Sequence, residues 1–400
     1  MKIPSFVTDL SLPPWEYHRS LREWSKEIRT STPIIWDDES AGWLAFRYED
    51  VVRVQSDYAT FSSEGTIKNR SNSVEGMNGG PRSIIEMDPP QHRQLRSLIT
   101  QGFSARTVAD QAPQIEKIVN ELFDKVIAKG TEMNWMADLA NPLPVIVIAN
   151  MLGLPYEAWP DYKRWTDAIM TRSADMGQAS MNFAQCFGQA IAEHIQNPKQ
   201  DILSKLIESE VEGERLTFED LMTFCFTLFI AGNITTTNVL GNAMLCFDQF
   251  PEELERLRQH PELITTAVEE VIRYVGPFRA GPNDLIEGRI AKMDVMLSDQ
   301  LIRKGEQVQV NRLSANFDER QFPDPDRFDI GRTPNRHQTF GHGIHFCIGA
   351  PLARLEIKIV FETMLKRFNE MHIIKDKSLE QVPSLMIFGV KEVPLEFQPV

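Results

Sequence analysis

Cysteine is scarce in this chain: four residues in 400, Cys186, Cys225, Cys246 and Cys347, at spacings that form no disulfide framework. That pattern belongs to a reducing compartment, and the expected location is the cytoplasm. Positive charge is short as well, with 42 Lys and Arg against 56 Asp and Glu and a net charge of −14. Nucleic-acid binding needs a basic face to displace counterions, so that class is set aside. A local basic patch for an acidic protein partner remains compatible with the total. The N-terminal "MKIPSFVTDLSLPP" lacks the apolar centre of a signal peptide, and "PLPVIVIANMLGLP" (142–155) falls short of a bilayer span. No membrane anchor is therefore expected. Nor is there an internal repeat, a low-complexity tract or a dividing linker, so residues 1–400 are read as one catalytic unit.

What is present is a run of helical patterns flanked by short strands. "PIIWDDESAGWLAFRY" (33–48) reads as two strands around a polar turn. Residues 62–82, rich in Gly, Ser and Asn, predict a surface loop. Ile115, Ile118, Val119, Leu122, Phe123 and Val126 recur at helical spacing, and Gly130 ends that run. The expected layout has a helical body over about 85–275 and 350–370, with strand-rich parts at about 30–60, 285–312 and 385–397. This is a mainly α fold with small β-sheets at its side.

The stretch richest in chemistry is "FGHGIHFCIGAPLARLE" (340–356). Zinc would need a second ligand pair beside His342, His345 and Cys347, and the neighbourhood offers none. A cysteine nucleophile would need a histidine base and an orienting group, which the residues neither supply nor exclude. A buried structural cysteine is the plainest alternative. A fourth reading uses the glycines: Gly341, Gly343 and Gly349 let the backbone turn tightly and approach a large flat ligand. Pro351 suits a first helical turn, which sets Cys347 at a helix N-terminus where thiolate is favoured. A thiolate ligand to haem iron requires such a setting.

The stretch resembles the haem-binding signature of the bacterial-type cytochrome P450 superfamily, F-G-x-G-x-H-x-C-x-G-x-x-L-A-R-x-E. Phe340, Gly341, Gly343, His345, Cys347, Gly349, Leu352, Ala353, Arg354 and Glu356 match it. The resemblance implies a large helical domain plus a smaller β-rich region around a buried haem b. It makes Cys347 the axial ligand of the iron, with Phe340 packed beside it, Gly349 flanking it, and His345 donating to a haem propionate. It also implies a buried network of Glu270, Arg273 and Arg327, from "EEVIRY" and "FPDPDRFDIGR". "MDPPQHRQLRSLITQGFS" (87–104) resembles the helix in which His92 and Arg96, four apart, hold a propionate. Arg289 aligns with a further propionate arginine, and Arg279 competes for that place because the segment between Arg273 and Arg289 is longer than the family pattern.

"FTLFIAGNITTTNVLGN" (226–242) resembles the long helix on the oxygen side of the haem, with Ala231, Gly232, Thr235 and Thr236 matching A-G-x-[DE]-T-T. Small residues there are expected to allow close approach of the haem. The departure is Ile234, which replaces the acid of the family's proton relay. Asn233, Thr236, Thr237, water or a substrate hydroxyl are candidates to stand in. By resemblance the chain is a monomeric monooxygenase acting with O2 on a hydrophobic small molecule: a steroid, terpenoid, fatty acid or macrolide-like compound. Electrons would come from a separate ferredoxin or flavodoxin, without a fused reductase. Alternatives are a peroxide-driven peroxygenase, a haem-thiolate rearrangement or dehydration enzyme that uses no O2, and a binding protein without turnover. The substrate pocket is expected among the 62–86 loop, residues 170–185, the helix of Ile234, the insertion after Arg273, and Met386, Ile387 and Phe388.

Overall fold

A computed structural model describes every residue except 1–2, 39, 65–82, 172, 280–287 and 376. The chain is 57% helical with small separate sheets, a mainly α fold as expected. Its axis is the helix Phe218–Gln249, which packs against Pro142–Met151, Met176–Gln196, Ile264–Tyr274 and Ala350–Arg367. The helix begins with a reciprocal cap. Asp220 N donates to Thr217 Oγ1 at 3.1 Å, and Thr217 N donates back to the Asp220 carboxylate at 2.9 Å. By length and composition this helix is apolar enough to cross a bilayer, contrary to the expectation that the apolar runs fall short. Its neighbours explain its composition: surrounded by other helices, it buries residues on nearly every side along its second half, from Thr236 to Phe247.

The main sheet has five strands in the order Ile34–Asp37, Gly42–Ala45, Gln307–Val310, Arg289–Ala291, Phe61–Ser62. The first two form the expected hairpin, with Ile34 opposite Ala45 and Asp37 opposite Gly42. Pairing of Ser62 with Ile290 brings the chain just after residue 61 beside Arg289. A second sheet joins Phe368–Ile373, Pro394–Pro399 and Glu132–Asn134. The strand expected over 385–397 is therefore shorter and later. Residues 385–390 form a loop, tied down by isolated bridges of Ile387 to Phe278 and Val390 to Gln381. A small hairpin, Glu210–Val211 with Glu214–Arg215, interrupts the helical body. The amphipathic helix Pro14–Ser31 stands before the expected elements; Tyr17, Leu21, Trp24 and Ile28 form its buried face. Most of the expected 62–82 loop, and residues 280–287 of the insertion after Arg273, lie outside the described residues.

Candidate active site

The cysteine loop is shaped by glycines that no other residue replaces. Gly341 and Gly343 have φ of 73° and 69°, the left-handed region. A Cβ on Gly343 would also lie 2.7 Å from the Gln55 carbonyl oxygen and 2.8 Å from Ser56 Cα, both backbone atoms. Cys347 N donates to the Phe340 carbonyl at 2.9 Å, closing the loop on itself. The helix Ala350–Arg367 starts three residues later with Gly349 as its cap and Pro351 in its first turn. Burial pushes the Cys347 thiol up, against the pull of the Gly349 and Ala350 amides and the charges of Arg312 and Arg96. The helix end alone was expected to favour thiolate. Here burial opposes it.

Beside the loop, four basic side chains come together. His92 and His345 have ring centroids 4.4 Å apart. Arg96 donates to the Phe346 carbonyl at 2.6 Å, and the buried Arg289 donates to the Gly288 carbonyl at 2.9 Å. Burial pushes His345 down to about 3, helped by the charges of Arg289, His92 and Arg96. Burial and the Arg96 charge bring His92 down to about 4. The buried Nε2 of His92 has no partner among the described residues, while the His345 Nε2 meets Ser63 Oγ at 2.9 Å. Such a cluster, two arginines with a buried orphan imidazole nitrogen beside the loop, suits an anion. Arg279 is elsewhere. It lies over the Tyr17 ring at 4.3 Å, bonds to Gln381 and the Ile387 carbonyl, and belongs to no part of this cluster.

On the long helix, Ala231 is exposed although its surroundings are core, and Thr235 Oγ1 donates back to the Ala231 carbonyl at 2.7 Å. These two share the open face. Gly232 does not: a Cβ there would lie 2.7 Å from Ile148 Cδ1, so its small size serves the contact with Pro142–Met151 rather than approach of a cofactor. Thr236 is buried, and Thr237 Oγ1 donates to the Ala140 carbonyl at 2.9 Å and lies 3.3 Å from Asn233 Oδ1. Ile234 brings no proton carrier to the region; its carbonyl accepts from Asn238 Nδ2 at 2.7 Å.

The network behind the loop contains Glu270 and Arg273 as expected, joined at 2.8 and 2.9 Å and fully buried. Its second arginine is Arg332, not Arg327. Arg332 Nε donates to Glu270 at 3.2 Å, Asn335 Nδ2 adds a bond at 3.0 Å, and Arg327 offers only its backbone carbonyl. The reason is the turn at Pro325-Asp326. It gives the inward position to the apolar Phe328 and leaves the side chain of Arg327 exposed. Glu269 escaped the sequence reading. It takes Arg354 at 2.6 and 2.9 Å and His337 at 3.2 Å, and Arg354 lies 4.5 Å over the Phe340 ring. Its signal was only its place next to Glu270.

The sequence profile of the family Cytochrome P450 matches residues 145–271 and 257–399. This chain belongs to the cytochrome P450 family. The P450 YjiB of Bacillus subtilis is 37% identical over 380 residues, 92% of this chain and 91% of that protein. The structure of CYP109Q5 from Chondromyces apiculatus superposes with a TM-score of 0.89 at 35% identity, covering 100% of this chain and 99% of that one. CYP109E1 from Bacillus megaterium, in complex with testosterone, gives a TM-score of 0.84 at 35% identity, covering 94% and 98%.

The protein is thus a P450 monooxygenase whose cofactor is haem b, and which uses O2, a small-molecule substrate and a redox partner. The residues present fit haem. Cys347 offers a sulfur donor beside a glycine-bounded loop, and the group of His92, Arg96, Arg289 and His345 offers charge and an unfilled donor for two carboxylates.

Proposed function

We propose that this P450 inserts one oxygen atom of O2 into a steroid-like hydrophobic molecule, with electrons from a separate ferredoxin or flavodoxin. Haem, when bound, supplies the activation of oxygen. Cys347 holds the iron through its sulfur, with Phe340 and Gly349 bounding the site, while His92, Arg96, Arg289 and His345 hold the propionates. Glu270, Arg273 and Arg332 fix the segment behind the loop. The observation that carries the reading is the open Ala231–Thr235 face, where the Thr235 hydroxyl, bonded to the Ala231 carbonyl, retains lone pairs for a water or a substrate hydroxyl. The testosterone complex of CYP109E1 supports the steroid class. We read residues 1–400 as one monomeric catalytic unit in the cytoplasm; four cysteines without a disulfide support the location.

Ile234 favours a second reading, in which hydrogen peroxide brings its own protons and electrons. One experiment separates the two. Purified protein is incubated with testosterone and either a ferredoxin system or peroxide, and hydroxylated product is measured. The first reading expects product with ferredoxin and O2 consumed in step. Hydroxylated product with peroxide and none with ferredoxin makes the enzyme a peroxygenase, and an isomer or a dehydrated product formed without consumption of either oxidant makes it a rearrangement or dehydration enzyme. In each arm Cys347→Ser should abolish the red-shifted Soret band of the reduced carbon-monoxide complex.

A further inference from the structure

Arg279 is 3% exposed, and the one carboxylate among the described residues that acts on it, Asp9, does so without a direct ion pair. Burying a guanidinium that way is costly unless its bonds do something that apolar packing would not. Two of its bonds go to adjacent carbonyls of one segment. Its backbone N–H donates to the Met386 carbonyl at 2.9 Å and its Nε to the Ile387 carbonyl at 3.2 Å. Its Nη2 is held by Gln381, whose own Nε2 donates to the Leu12 carbonyl at 2.7 Å. The Tyr17 ring backs the guanidinium. Next to it, Phe388 N donates to the Pro277 carbonyl at 2.8 Å.

The other side of the same loop rests on the long helix. Ala231, Thr235, Asn238 and Asn242 follow at intervals of four, three and four and so share one helix face. Asn242 Nδ2 donates to the Phe388 carbonyl at 3.1 Å, and Asn238 packs directly on Gly389. The loop is therefore clamped between Arg279 behind and Asn238 and Asn242 in front, one to two turns along from Thr235.

We propose that Arg279 is a positioning residue for the substrate: it sets the Met386–Ile387 wall of the pocket from behind. This rests on the reading that haem and substrate bind between the cysteine loop and the Ala231–Thr235 face.

The test uses haem-loaded protein and two probes that ligate haem iron, clotrimazole, which fills a pocket, and imidazole, which does not reach its walls. Arg279→Gln should speed amide exchange at residues 386–388. It should shift the clotrimazole dissociation constant relative to that of imidazole by about tenfold, the effect of one lost buried hydrogen bond. Arg279→Lys, which keeps a donor for the Ile387 carbonyl, should recover part of that ratio. Gln381→Leu loosens the same guanidinium without replacing it and should move the ratio in the same direction, which keeps the test open if Arg279→Gln does not fold. Faster exchange with an unchanged ratio makes Arg279 a structural clamp only and overturns the proposal, as does unchanged exchange. Equal shifts for both probes place the effect on haem seating and also overturn it. A wild type without the red-shifted carbon-monoxide band removes the haem reading itself, and the proposal with it.

Discussion

Ile234 leaves the proton supply to whatever shares the open helix face with Thr235. The side-chain candidates narrow on inspection of that face. Asn233 and Thr237 meet each other and the Ala140 carbonyl on the far side, and Thr236 is buried in the core. Water or a hydroxyl of the substrate is what remains within reach of Thr235. A positioned proton donor contributes about 10²–10⁴-fold, so a substrate without a hydroxyl should lose electrons to peroxide. Ile234→Glu should raise O2 uptake and product with such a substrate, and Thr235→Ala should lower the product formed per electron. A substrate whose own hydroxyl reaches the site should respond little to either change. Product, peroxide and reduced nicotinamide consumed, measured for wild type and both variants, check this.

Among the elements, the segment 322–335 wraps the end of Ile264–Tyr274 and presents arginines in two directions. Arg332 bonds Glu270 and the carbonyls of Pro323, Asp324 and Arg327, whereas the Arg327 side chain faces solvent. Arg332→Ala removes a charge-assisted bond to a fully buried carboxylate and should destabilise by about 1.5–3 kcal/mol. Arg327→Ala should stay within about 0.5 kcal/mol. Urea unfolding of the two variants, with haem loss followed in parallel, checks the contrast; equal losses would contradict the assignment. The contact between helices at Gly232 follows the same logic. Its missing side chain is filled by Ile148, so a larger residue there would push two helices apart before it touched a cofactor.

At the scale of the molecule, a chain of net charge −14 has to receive electrons from a partner. An acidic ferredoxin would be repelled by the whole and drawn only by a local field near the cysteine loop, where Arg93, on the helix of His92 and Arg96, reaches solvent. Electron transfer should then slow as added salt shortens the Debye length from about 30 to 10 Å. Stopped-flow reduction across that range measures it. A rate indifferent to salt points to a partner that docks by apolar contact or to peroxide as the oxidant.

Much of this protein is written in contiguous sequence. The glycines around Cys347, the hairpin 33–48 and the mainly helical body are local patterns, because backbone sterics and hydrophobic periodicity act over a few residues. What needed the tertiary structure were choices between like residues. Sequence spacing left Arg289 and Arg279 as rivals; the pairing of Ser62 with Ile290 puts Arg289 beside His92 and His345, and the loop 385–390 claims Arg279. Arg332 displaced Arg327 because a turn gave the inward place to Phe328. Gly232 faces Ile148 because the helix Pro142–Met151 crosses there. For Arg289, Arg279 and Gly232 the deciding partner lies many residues away, and no local pattern records which distant segment a side chain will meet.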